Sequence, residues 1–277
     1  MPSKPPHRLE QVNVSQVTSP LLEFARDVAS QSGEDGILEK IFQTITPSHR
    51  YCVEFGAWNG KYLSNCWNLI ANEGWSGALI EGGEEKFVDL LAEHGSNPKV
   101  TCVHKFVDFE GDNCLDNILS SINCPQDFDL LSIDVDGTDY FIWESLTAYS
   151  PAVVVIEFNP TVPNDVVFIQ AKDNEVNQGC SLLALILLGK EKGYELICCT
   201  SWNAFFVRKD LFALFEISDN SIQCLYQPYL DGRIFHGYDS QVYVVGMPIL
   251  LWSDLHVSSD DFQVLPQSAR RYSDSQR

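Results

Sequence analysis

The sequence predicts an α/β domain built around a mostly parallel sheet. From Ser32 to Arg208, near-continuous apolar runs alternate with amphipathic helical segments, as strands covered on both faces by crossover helices require. Acidic residues recur where those runs end. The stretch Tyr51-Cys-Val-Glu-Phe-Gly-Ala-Trp-Asn-Gly60 adds an apolar strand pattern that closes on an acid and two closely spaced glycines, as a cofactor loop does.

The elements follow in order. Residues 1–20 are Pro-rich and polar and read as a loose arm, with order expected from Leu21. Ile37, Leu38, Ile41, Phe42 and Ile45 share one face of a helix for which Ser32 is the candidate N-cap. Tyr51 to Ala57 reads as a buried strand, Lys61 to Asn72 as a helix stopped by Gly74, and Ser76 to Glu81 as a second strand. Helices at Glu84 to Glu93 and Asn113 to Ile122 bracket a third strand, Val100 to Val107. Phe128 to Val135 and Ala152 to Phe158 are strands four and five, with an aromatic helix from Asp139 to Tyr149 between them. A helix from Ser181 to Lys192 precedes two runs, Tyr194 to Thr200 and Asn203 to Arg208, whose link is too short for a crossover, so they pair as an antiparallel hairpin. The domain is expected over 21–217. Residues 218–277 form an extension packing on it, with a frayed tail from about 268.

With 277 residues, 45% of them hydrophobic, the chain can bury one large core. Its net charge of -20 repels phosphate backbones and anionic membrane surfaces, so neither nucleic acid nor membrane is an expected partner. The nine cysteines show no C-x-x-C spacing and lie mostly in apolar runs, which argues for reduced core thiols and against structural zinc. The N-terminus carries no apolar leader, and the longest apolar run, Leu182 to Leu188, is too short to span a bilayer; the expected location is the cytoplasm.

Gly56 and Gly60 permit a sharp turn and close approach by a ligand. Their G-x-x-x-G spacing differs from the G-x-G-x-x-G that seats a pyrophosphate, and Glu54 would repel phosphate while attracting an ammonium or sulfonium group. S-adenosylmethionine carries both cations and no phosphate. Acids close all five strands, at Glu54, Glu81, Asp108, Asp134 and Glu157. Glu81 occupies the position from which a carboxylate accepts hydrogen bonds from both ribose hydroxyls.

Val-Glu-Phe-Gly-Ala-Trp-Asn-Gly60, Gly74-Trp-Ser-Gly-Ala-Leu-Ile-Glu-Gly82, Ser132-Ile-Asp-Val-Asp-Gly-Thr-Asp139 and Val154-Val-Ile-Glu157 together resemble the FkbM family of S-adenosylmethionine-dependent methyltransferases over about residues 30 to 210. The resemblance implies a Rossmann-like class I methyltransferase sheet of order 3-2-1-4-5-7-6 with the last strand antiparallel. It also implies O-methylation of a small hydroxylated molecule or sugar. Carried over by position, Glu54, Gly56 and Gly60 would form the first cofactor loop and Glu81 the ribose clamp. Asp108 would lie near the adenine and Asp134 near the methionine end, with Ser64, Asn65 and Gln31 as further contacts. Ala-Trp-Asn between the glycines departs from the usual further glycine, which places Trp58 to close over the cofactor.

Methyl transfer from sulfonium is an in-line displacement, so the protein must chiefly align donor and acceptor. A hydroxyl acceptor also loses a proton. Asp134, Asp136 and Glu157 are the catalytic candidates, and Asp134, Glu157 and Asn159 would make an oxygen-rich set suited to Mg²⁺. Asp134 and Asp136 would point to opposite sides unless the chain turns between them, and capping of the following helix accounts equally well for Asp136 and Asp139. His104 and His236 are candidate bases that a lone surface or core histidine explains as readily. The long polar segment 159–179 is a candidate lid, with Asn164, Asp165, Asn177 and Gln178 as possible substrate contacts. Two other readings stay open: a nicotinamide-dependent oxidoreductase, since Glu81 would suit NAD ribose, and a catalytically silent methyltransferase-like interaction module.

Overall fold

The computed structural model describes residues 19–226, 233–236, 241–245, 249–250, 255–256 and 259–263. The expected arm up to residue 18 and the tail from 268 lie outside the described residues. Seven strands, β1 (Tyr51–Phe55), β2 (Ser76–Glu81), β3 (Val100–His104), β4 (Leu130–Ile133), β5 (Val153–Glu157), β6 (Tyr194–Cys199) and β7 (Asn203–Arg208), form one sheet in the order β3-β2-β1-β4-β5-β7-β6. The first five run parallel, and β7 lies antiparallel to both β5 and β6. This is the Rossmann-like strand order, with its antiparallel strand, expected above.

Alternation along the strands feeds two cores. Val53, Phe55, Ile80, Leu131, Ile133, Val154 and Ile156 meet α4 (Leu115–Ser121), α5 (Asp139–Ser145) and α6 (Leu182–Glu191) on one face. Cys52, Leu79, Leu130, Val153 and Val155 meet α1 (Glu34–Thr44), α2 (Trp67–Ala71) and α3 (Glu84–His94) on the other. Burial on both faces is why these strands read as unbroken apolar runs.

Two local expectations are corrected. The N-cap of α1 is Gly33, at φ 92, and not Ser32, whose N–H donates to Glu34 Oε2 at 2.7 Å. Asp27 Oδ1 accepts from Gly33 N, and Asp35 Oδ2 accepts from Val28, Ala29 and Ser30 N, so acids organise the turn instead of a serine. The helix expected over Lys61 to Asn72 begins only at Trp67. Leu63 sits at φ 57, and the buried Glu54 captures Ser64 Oγ and Asn65 N, so the chain cannot coil until it has passed them.

The β6–β7 hairpin is tied to α1: Glu34 Oε1 accepts from Thr200 Oγ1 at 2.8 Å and from Asn203 Nδ2 at 3.2 Å. Segment 159–179 folds around the buried Gln170, which accepts from Gln178 and Gly179 N and donates to Val176 O. Beyond β7, Ile222, Leu225 and Tyr226 join the core, and β8 (Arg233–His236) pairs antiparallel with β9 (Val242–Val245). All nine cysteines are free thiols. Among the described residues no helix is long and apolar enough to cross a membrane.

Candidate functional site

The carboxyl ends of β1, β2, β4 and β5 converge on a cavity of about 690 Å³. Of the residues singled out from the sequence, Gln31, Glu54, Gly56, Ser64, Asn65, Glu81, Asp134, Asp136 and Glu157 line it, whereas Gly60, Asp108 and Asn159 do not.

Gly56, at φ 70, is where the β1 loop crosses the end of β4: a Cβ there would lie 1.9 Å from Asp134 O. Gly56→Ala therefore combines a backbone collision with a left-handed conformation, and is expected to destabilise the protein by about 3 kcal/mol or more, read as a drop in thermal midpoint. Gly60 has a structural reason instead. Its carbonyl accepts from His94 Nε2 at 3.0 Å, and a Cβ would strike His94 and Leu90 at 2.7 Å.

Glu54 is buried and accepts from Ser64 Oγ at 2.5 Å and Asn65 N at 2.8 Å. Burial pushes its carboxyl up to about 7, against these hydrogen bonds. Asn65 Nδ2 donates to Ser132 Oγ at 3.1 Å, which ties the β1 loop to β4. Glu81 bridges two loops: Oε2 accepts from Trp58 N at 2.8 Å and Oε1 from Gly83 N at 2.6 Å. Because α2 starts only at Trp67, with the Lys61 and Tyr62 amides donating to Asn59 Oδ1 and the Asn65 amide to Glu54, the glycine loop does not lead directly into a helix N-terminus. A pyrophosphate cradle of the dinucleotide kind is absent from this loop.

At the β4 and β5 ends, Asp134, Asp136 and Glu157 bring carboxylate oxygens within 4.8 Å of one another. The chain does turn between the two aspartates, since Asp136 lies at φ 60. Asp139 fixes that turn by accepting from Val135 N and Gly137 N, both at 2.9 Å, and burial raises its own carboxyl to about 6. Asp134 is pushed well above the ordinary carboxylate range, by burial first and then by the charges of Asp139, Asp136, Glu54 and Glu34.

Asn159 does not line the cavity. Its Oδ1 accepts from Thr161 N and Oγ1, and its Nδ2 donates to Gln178 O, while Asp136 is the acid that lies with Asp134 and Glu157. Asp108 is displaced because β3 stops at His104, which puts Lys105, Phe106 and Val107 at the cavity. The Asp108 carboxylate instead accepts from Phe109 N and from Asn174 Nδ2. His104 stacks on Phe87 at 4.5 Å and His236 is exposed on β8; neither lines the cavity. Nor do Asn164, Asp165, Asn177 or Gln178, so segment 159–179 contributes no wall.

Sequence reasoning missed Tyr62, Leu63, Lys86, Lys105, Phe106, Ser132 and Trp202, all of which line the cavity. An earlier end to β3 would have pointed to Lys105 and Phe106. Trp202, at the tip of the β6–β7 hairpin, carried no signal because its place depends on that hairpin's bond to Glu34.

No protein-family model matches the chain, and no curated protein sequence matches it. Among solved structures it is similar to the N-terminal domain of EvdMO1 with SAH bound, at 13% identity and a TM-score of 0.42, over 65% of this chain and 82% of that one. It is also similar to a putative sarcosine dimethylglycine methyltransferase from Galdieria sulphuraria, at 13% identity and a TM-score of 0.40, over 59% and 62% of the two chains. A third likeness is to an S-adenosylmethionine-dependent methyltransferase from Clostridium acetobutylicum ATCC 824, at 12% identity and a TM-score of 0.41, over 66% and 93%.

Proposed function

We propose that the chain is an S-adenosylmethionine-dependent methyltransferase acting on a small hydroxylated molecule or sugar. The observation that carries this reading is the convergence of Glu54, Glu81, Asp134 and Glu157, each from a different strand end, on one cavity whose glycine loop lacks a pyrophosphate cradle. Such a cavity suits a ligand that is cationic at one end and bears a ribose at the other, and it disfavours the nicotinamide reading.

Glu54 and Asn65 would receive the ammonium group, and Glu81 would accept from the ribose hydroxyls while holding both loops. Asp134 is the proposed base. A carboxylate raised by burial and by like charges is, in its ionised form, a stronger base than an exposed one, which suits it to take a proton from a hydroxyl. The hydroxyl proton passes to Asp134, the oxygen lone pair attacks the methyl carbon, and the carbon–sulfur bonding pair stays on sulfur, leaving S-adenosylhomocysteine. The donor set of Asp134, Asp136 and Glu157 is all oxygen, of the kind Mg²⁺ takes, and no step of this reaction runs through a metal.

Purified protein is expected to bind S-adenosylhomocysteine in calorimetry, and to transfer label from methyl-labelled cofactor to a small molecule of cell extract that mass spectrometry identifies. Absence of cofactor binding, or tight NADH binding in its place, overturns the proposal. Cofactor binding without any labelled product across extracts would favour the silent-module reading.

A further inference from the structure

Like Leu63, Trp58 lines the cavity with a left-handed backbone, and of the two it is the bulkier and the aromatic one. It stands at the mouth with 43% of its surface exposed and with its backbone at φ 48, a region a bulky aromatic rarely adopts. Core burial does not offset that conformation, because Trp58 is far less buried than the core tryptophan Trp143. Its surroundings over-determine it instead. Glu81 Oε2 accepts its N–H at 2.8 Å, Lys86 Nζ lies 4.3 Å from its ring centroid, and the Tyr62 ring meets it edge-on at 5.3 Å and 66°. Strained backbone held by several partners at a ligand cavity marks a functional position.

We propose that Trp58 is a ligand-binding residue, an aromatic latch over the purine of an adenosyl cofactor, and that Lys86 is the positioning residue that sets its indole. The proposal rests on the methyltransferase reading for the identity of that cofactor. Glu81 ties the latch to the ribose seat, because the carboxylate that would meet the ribose hydroxyls is the same one that holds Trp58 N. Which part of the ligand the indole takes follows from electrostatics. A ring that already faces one ammonium gains less from a second cation than a free ring does, whereas a neutral π-system stacks on it without that penalty. Lys86 and Lys105 line the cavity on the side of Glu81, while Asp134, Asp136 and Glu157 lie at the other strand ends. The cationic methionine end is therefore drawn to the carboxylates and the uncharged purine to Trp58. Phe106, itself 57% exposed, lines the same cavity from the β3 end and offers further apolar surface for the purine to cover.

The test uses full-length protein with S-adenosylhomocysteine and adenosine as probes in calorimetry. Trp58→Asn removes the ring and keeps a residue that tolerates left-handed backbone. It is expected to weaken both ligands at least tenfold, by the same factor, without lowering the thermal midpoint. The part of the tryptophan emission change on saturation that Trp58 supplies should be lost with it, leaving only what Trp202 contributes. Lys86→Met is expected to weaken both ligands about threefold to fivefold and Lys86→Arg to restore them, a rescue that a purely structural role for the side-chain stem would not show. Trp58→Asn binding within twofold of wild type, with wild-type binding intact, overturns the latch alone. Wild-type protein that takes up no S-adenosylhomocysteine overturns the latch and the methyltransferase reading together. If Trp58→Asn does not fold, Lys86→Met decides, and wild-type affinity in that variant overturns the proposal.

Discussion

Replacing Glu54 with glutamine is expected to remove up to about 3 kcal/mol of pH-dependent stability and to reduce the pH dependence of cofactor binding. The carboxyl is raised from an ordinary 4.5 to about 7 by burial, and each unit of pKa difference between folded and unfolded states is worth about 1.4 kcal/mol. For an acid whose folded pKa is raised, the folded state keeps a proton that the unfolded chain has shed. The favourable contribution is whole below about 4.5, declines as pH rises towards about 7, and is gone above it. Glutamine has the same shape: its oxygen can accept from Asn65 N, and its amide meets Ser64 Oγ, which also accepts from Cys66 N and Trp67 N, as the protonated carboxyl would. Stability of the variant should therefore lack the part of the slope that Glu54 supplies. Asp134 and Asp139 are raised in the same direction, so a residual slope remains, and the difference between wild-type and variant denaturation curves isolates Glu54.

The same group links pH to the ligand. An ammonium or sulfonium beside Glu54 favours the ionised form, so binding below pH 7 expels a proton and apparent affinity should rise by up to about tenfold per pH unit between 5 and 7. Calorimetry of S-adenosylmethionine in two buffers of different ionisation enthalpy reads that proton directly. A wild-type protein whose binding is independent of pH across this range would refute the placement of the cationic end at Glu54.

Glu81→Gln is expected to lower affinity for S-adenosylhomocysteine about 100-fold. Each Glu81 oxygen accepts from a different backbone N–H, at Trp58 and at Gly83. Glutamine has one acceptor oxygen, and its amide would face a second donor head-on, so one loop comes free and one backbone N–H loses its partner. Hydrogen bonds to a charged acceptor contribute about 1.5–3 kcal/mol each, and losing the loop clamp together with the ribose contact gives about 3 kcal/mol, which is a factor of about 100. Circular dichroism of the variant should match wild type, because Glu81 lies at a strand end outside both cores. Affinity within threefold of wild type would remove Glu81 from the cofactor seat.

Much of this could be read from the chain because the signals are local. Ser76 to Glu81 is a strand in the sequence and in the structure, with the same limits. The hairpin at β6 and β7 followed from a link too short for a crossover. Expectations failed where a distant group reassigned a local one. The helix after the first loop lost its first turns to Glu54, which lies 10 and 11 residues back from the two donors it captures. Asn159, a metal candidate by its chemistry, bonds Thr161 and Gln178 and lies outside the cavity lining. Asp108 sat in register for a strand that ended sooner than its apolar pattern suggested.

By itself the sequence determined the α/β class, the identity of the seven strands, and the acids Glu54, Glu81, Asp134 and Glu157 as strand-end groups. Periodicity and apolar runs are properties of neighbouring residues, and a parallel sheet covered on both faces leaves them few other arrangements. Only the tertiary structure decided which strand-end side chains share a cavity, and which carboxylates hold the loops of that cavity as well as lining it. It also decided that Asp136 turns in to meet Asp134 and Glu157, and that Trp58 stands at the mouth between Glu81 and Lys86. Those outcomes turn on burial and on contacts between residues far apart in the chain. Desolvation and hydrogen-bond pairing set the state of a carboxyl, and neither exists until the fold has brought the partners together.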